Sequence, residues 1–107
     1  MGLPDNFAAI RKGLLEFVIL KIVAADKVYA ADILAQLSKT EFATQEGTLY
    51  PLLSKMRRDG LLDYEWQESG AGPPRKYYEL TAKGKVHLGE LNEYWNHLNA
   101  TITQLGR

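Results

Sequence analysis

The apolar residues of this chain keep a helical spacing as far as Met56, pause at Asp59-Gly60, and then alternate one by one with polar residues. Within Glu46-Gly47-Thr48-Leu49-Tyr50-Pro51-Leu52-Leu53-Ser54-Lys55-Met56-Arg57-Arg58, the positions Leu49, Leu52, Leu53 and Met56 form one stripe of a 3.6-residue helix. Beyond Gly60, Leu62, Tyr64 and Trp66 alternate with Asp63, Glu65 and Gln67, which predicts a strand. Ser69-Gly70-Ala71-Gly72-Pro73-Pro74 is turn material, and Lys76-Tyr77-Tyr78-Glu79-Leu80 completes a hairpin. One short alternating stretch within a chain of otherwise helical spacing confines it to a mainly α fold with a small β-hairpin.

The other helices follow from the same periodicity. The first is expected from about Asp5 or Asn6, either of which can cap it, to Ala25, with Ile10, Leu14, Phe17, Val18 and Ile22 as its stripe. Phe17-Val18-Ile19-Leu20 is apolar almost all round and predicts burial on two sides, in the core and against another chain. Lys27-Val28-Tyr29 makes a short break before a helix from about Ala30 to Ser38, which buries Ile33, Leu34 and Leu37. Thr44 is the expected N-cap of the third helix. Pro51 lies inside that helix, where its ring would strike the carbonyl of residue 47; glycine there leaves room for a kinked but continuous helix. Gly60 suits the left-handed residue that ends it. Trp66 shares a strand face with Leu62 and Tyr64 and is expected in the core, whereas Tyr77 and Tyr78 point to opposite faces. Thr81 caps a last helix. There Leu88, Leu91, Trp95, Leu98, Ile102 and Leu105 alternate spacings of three and four, a heptad seam expected to pair with another chain.

Composition removes several function classes. A chain of 107 residues has material for one core. It has no cysteine, hence no disulfide, thiolate metal site or cysteine nucleophile, as expected of a cytoplasmic protein. The apolar run Leu14 to Ala25 is broken by Glu16 and Lys21 and is too short to cross a bilayer; no secretion leader is expected before it. His87 and His97 stand nearly three helical turns apart, too far for one metal within a chain. Glu90 and Glu93 have no nucleophile beside them, and no helix with a phosphate-binding lysine follows Gly70 and Gly72. No catalytic residue, metal or cofactor is expected, and the chain is not expected to be an enzyme.

Net charge is zero, with thirteen basic and thirteen acidic residues, yet the basic ones are gathered. Lys55, Arg57 and Arg58 end the third helix, and Arg75 and Lys76 open the second strand, with Asp59, Asp63, Glu65 and Glu68 between them. Three helices and a hairpin, in that order, make a winged helix-turn-helix, whose third helix enters the major groove of DNA while the hairpin wing touches the backbone. The face of the third helix opposite its apolar stripe holds Gly47, Tyr50, Pro51, Ser54 and Arg58. Gln45, Thr48, Tyr50 and Ser54 are the candidates for base edges; Lys55, Arg57, Arg58, Arg75 and Lys76 are those for phosphates. Neutral net charge also supports a second possibility, a winged-helix module that binds another protein instead of DNA.

The blocks Glu46-Gly47-Thr48-Leu49-Tyr50-Pro51-Leu52-Leu53, Asp59-Gly60-Leu61-Leu62 and Arg75-Lys76-Tyr77-Tyr78-Glu79-Leu80-Thr81, with Gly84, resemble the PadR family of bacterial transcriptional regulators. The resemblance covers nearly the whole chain, and the single C-terminal helix is similar to the family's smaller subfamily. It implies a winged helix-turn-helix over residues 1–80, whose first helix joins the dimer interface, and a dimerisation helix over 81–107. It also implies a homodimer that occupies a promoter operator on double-stranded DNA, usually as a repressor, and is released by an effector. The heptad residues would then form the dimer interface. For Trp95 two roles stay open: plain packing in that seam, the default, or, as the resemblance implies, stacking on a flat aromatic effector between apolar walls of Phe7, Ile10, Leu14 and Leu98. The chain departs from the family at Val28-Tyr29-Ala30, where members often have glycine-tyrosine-glycine.

Overall fold

The computed structural model describes residues 5–68 and 70–107. Its elements run α1 (Ala8–Ala25), β1 (Val28–Tyr29), α2 (Ala30–Ser38), α3 (Glu46–Arg58), β2 (Leu62–Gln67), β3 (Arg75–Leu80) and α4 (Ala82–Gln104). Ser69, the first residue of the expected turn, lies outside the described residues.

The three strands form one antiparallel sheet in the order β1-β3-β2. The hairpin is in register from Leu62 opposite Leu80 to Gln67 opposite Arg75. The segment expected as a mere break after α1 is an edge strand: Val28 pairs with Tyr78, and Tyr29 with Tyr77. Two residues are too few to show a period, and this strand exists because β3 offers it a partner.

Ile19 and Leu20 of α1, Ile33 and Leu37 of α2, and Leu49, Leu53 and Met56 of α3 meet Leu61, Leu62, Tyr78 and Leu80 in one core. Each buried aliphatic side chain stabilises the fold by roughly 1.5–3 kcal/mol, so three helices and a hairpin are held by one shared cluster. Leu52 packs at its edge, as the stripe of α3 predicts.

The ends of α3 are set by backbone chemistry. Its N-cap is Gln45 instead of Thr44, because the Gln45 carbonyl accepts from Thr48 N at 3.0 Å and Leu49 N at 2.9 Å; no side chain caps it. At the other end Gly60 takes φ 80°, Gly60 N donates to the Arg57 carbonyl and Leu61 N to the Met56 carbonyl. This is the Schellman closure, with Met56 and Leu61 both buried beneath it. Pro51 does lie within an unbroken helix. A Cβ built on Gly47 meets nothing within 4 Å beyond the helix's own backbone.

At α1, helix begins at Ala8, later than expected; Asp5 instead accepts from Phe7 N at 3.0 Å and pairs with Arg11. Within α1, Phe17, Ile19 and Leu20 are buried and Val18 partly so. Thr81 caps α4 as expected, its Oγ1 accepting from Gly84 N at 2.9 Å. The same hydroxyl donates to the Gly60 carbonyl at 2.6 Å. Lys83 Nζ donates to the Asp59 carbonyl at 2.7 Å. The start of α4 is therefore tied directly to the end of α3. Along α4, Leu88 and Leu91 pack on the core, and Leu98 is half-buried. Trp95, Ile102 and Leu105 remain 44%, 69% and 71% exposed. Among the described residues no helix is long and apolar enough to cross a membrane.

Candidate nucleic-acid interface

α3 and the β2–β3 hairpin stand side by side with a cleft between them. Burying Leu49, Leu53 and Met56 turns Tyr50, Ser54 and Arg58 outward. On the hairpin, the face that meets the core at Leu62 and Leu80 continues through the opposed pairs Tyr64–Tyr78 and Trp66–Lys76. The cleft has two adjoining hollows that share Ser54, Lys76 and Tyr78. One, of about 340 Å³, is lined also by Tyr50, Trp66, Arg75 and the first residues of α2; the other, of about 230 Å³, by Arg57, Arg58 and Tyr64.

The expected residues are not all drawn to one place. Tyr50, Ser54, Arg57, Arg58, Arg75 and Lys76 border the cleft. Gln45 is exposed at the N-terminus of α3. Thr48 lines a separate hollow on the α1 side, with Arg11 and Lys12. Lys55 is turned away: its Nζ lies 2.8 Å from Asp59 and 3.8 Å from Glu16 of α1. The hydrogen bond to Asp59 raises the Lys55 pKa, with Glu16 adding to it. The same bond holds the Asp59 carboxyl below its ordinary value. Arg57 reaches Asp63 at 3.6 Å and lies 4.5 Å from the centre of the Tyr64 ring. Of the three basic residues that end α3, Arg58 alone makes no ion pair among the described residues.

The hairpin cations rest on aromatic rings. Lys76 Nζ is 4.7 Å from the Tyr64 centroid and 5.6 Å from that of Trp66, and the Arg75 guanidinium is 5.2 Å from Tyr29. Tyr29 and Tyr77 rings meet at 4.9 Å on the sheet face opposite Tyr78. Tyr78 is the buried member of the tyrosine pair, and burial pushes its phenol pKa up. Trp66, expected in the core, is 62% exposed. Alternation assigned its face correctly, but the strand has left the body of the protein by that point. Trp66 and Tyr29 are therefore cleft residues that periodicity does not find; a tryptophan near the tip of a hairpin that carries Lys76 was the available signal.

Among the described residues no group of three or more histidine, aspartate or glutamate side chains is placed to hold a metal ion. The residues expected around an effector lie on α1, at its N-cap, and on α4; Phe7 and Ile10 are exposed and Leu14 and Leu98 half-buried.

Comparison with known proteins agrees with this geometry. The family model described as the transcriptional regulator PadR-like family matches residues 19–90. The X-ray structure of a PadR-like transcription factor from Bacteroides fragilis is 47% identical, covers 95% of this chain and 100% of that one, and superposes with a TM-score of 0.83. A PadR-like transcriptional regulator from Bacillus cereus is 35% identical over 92% of this chain and 96% of its own, with a TM-score of 0.82. A transcriptional regulator of Mycobacterium tuberculosis is 36% identical over 72 residues, which is 67% of this chain and 66% of that protein.

Proposed function

Because this chain belongs to the PadR-like family of transcriptional regulators, whose members bind DNA and are not enzymes, we propose that it acts as a homodimeric, effector-responsive repressor on a near-palindromic promoter operator. The observation that carries the proposal is the cleft: Tyr50, Ser54 and Arg58 of α3 face Lys76 of the hairpin on one exposed surface. With α3 in the major groove, Tyr50 and Ser54 present hydroxyls to base edges, with Gln45 and Thr48 at the end of the helix that enters first. Arg58, Arg75 and Lys76 neutralise flanking phosphates, and Arg57 joins them by exchanging Asp63 for phosphate. Lys55 contributes through its hold on Asp59 instead. The target places the protein in the cytoplasm.

Two copies are supported by the apolar side chains left open along α4 and at its C-terminal cap, Trp95, Ile102 and Leu105, together with Phe7 at the N-cap of α1 and Ile10 within it. Pairing along the seam Leu88, Leu91, Trp95, Leu98, Ile102 and Leu105 sets two copies of α3 about one DNA turn, ~34 Å, apart. Residues 1–80 then serve as the reading domain and 81–107 as the dimerisation helix. A flat aromatic effector stacked on Trp95, against Phe7, Ile10, Leu14 and Leu98, shifts how the two α4 helices pack. Through Thr81 on Gly60 and Lys83 on Asp59 that shift reaches α3. The effector acts to the extent that it binds the released spacing better than the DNA-bound one.

Charge reversal tests the reading of the cleft. Arg58→Glu together with Lys76→Glu abolishes binding to the promoter DNA of the protein's own gene, while light scattering still finds a dimer. Retained DNA binding in this variant refutes the proposed interface.

A further inference from the structure

Trp66 carries more chemistry than a wing position requires. Its indole is largely open to solvent, yet it is held from behind. The Tyr64 ring meets it edge to face, with centroids 5.8 Å apart and an interplanar angle of 88°. Lys76, directly across the hairpin, sets its ammonium 5.6 Å from the indole centroid. The Tyr64 ring is in turn fixed by the Arg57 guanidinium. A large aromatic plane is thus positioned, with a cation beside it, on the wall of the cleft opposite Tyr50 and Ser54.

When a helix occupies the major groove and the wing beside it reaches the backbone, a sugar–phosphate ridge runs between helix and wing. We infer that Trp66 packs its indole on a deoxyribose of that ridge while Lys76 takes the adjoining phosphate, an inference that rests on the DNA-binding function proposed above. The ridge alternates apolar sugar faces with anionic phosphates. The cleft wall offers the complementary series, an aromatic plane followed by an ammonium. Aromatic side chains with one polar edge suit such half-wet surfaces, since the indole N–H keeps a donor for phosphate or water. Deoxyribose is common to every nucleotide, so the contact adds affinity and register without selecting sequence.

The test titrates the full chain with two duplexes of equal length, one from the promoter of its own gene and one unrelated, at graded salt. Trp66→Ala is expected to weaken binding to both about tenfold, the loss of one well-packed aromatic contact. Its salt slope stays unchanged, whereas Lys76→Gln lowers the slope by about one. Trp66→Phe keeps most of the affinity but loses the change in tryptophan emission that DNA causes in the unaltered protein. The thermal midpoint of Trp66→Ala is compared with that of the unaltered chain, and Trp66→Phe, which keeps an aromatic plane without the indole N–H, separates contact from folding. Unaltered affinity in Trp66→Ala, or emission that does not respond to bound DNA, overturns the inference while leaving the DNA-binding function standing. So does a loss confined to the promoter duplex, because Trp66 would then read sequence. Failure of the unaltered chain to bind either duplex overturns the function itself, and the contact with it.

Discussion

Of the glycines whose surroundings are described, Gly84 has the least room for a side chain. A Cβ there would lie 2.1 Å from the Leu61 carbonyl oxygen, so any side chain forces the start of α4 away from the end of α3. Gly84→Ala is expected to destabilise the fold by at least about 2 kcal/mol, read as a lower denaturant midpoint with an unchanged slope. Gly47 is the opposite case: its Cβ meets nothing and it lies in a helix. Gly47→Ala is expected to stabilise by roughly 0.5–1 kcal/mol, measured the same way. Asp59 supplies a pH dependence. Its folded-state pKa is lowered, by the hydrogen bond from Lys55 first. The stability it adds is therefore present above the ordinary carboxylate pKa and is lost as pH falls through the depressed folded value. Asp59→Asn lowers the neutral plateau of a stability–pH curve and leaves its acid end, where the native carboxyl is protonated, little changed, so the acid limb is flatter. An acid limb that stays as steep shows that other carboxylates set it.

At the level of elements, what could be foreseen divides by physical cause. The helices and the hairpin were legible because a stripe or an alternation repeats over many residues. Leu49, Leu53 and Met56 are buried as their spacing requires. β1 was not legible, since two residues show no period and their partner lies some fifty positions onward in β3. Trp66 was assigned to the correct face but the wrong depth, because alternation says which way a side chain points and not where the strand leaves the core. The basic residues ending α3 looked equivalent in sequence, yet Lys55 and Arg57 prove to be engaged within the chain: Lys55 by Asp59 one helical turn on, with Glu16 added by folding, and Arg57 by Asp63. The tie between α3 and α4 was hidden for the same reason. Thr81 and Gly84 stand out as a cap motif, but their second partners are Gly60 and Leu61.

The whole molecule is elongated, with extents of 58 × 42 × 21 Å, and much of α4 has little of its own chain to pack against. A second copy is the economical covering for that face in the proposed repressor. Ile102→Glu, which alters an exposed position and leaves the core untouched, is expected to give a folded monomer by light scattering. Losing the second half-site contact weakens operator binding by at least about a hundredfold. A monomeric wild type, or an Ile102→Glu dimer, contradicts the seam. The most direct test of the proposed operator reading is a footprint of the protein on its own promoter at rising salt. Two symmetric protected patches, centred about one helical turn or ~34 Å apart and fading steeply with salt, are predicted. Uniform, weak protection shared equally with unrelated duplex would contradict it.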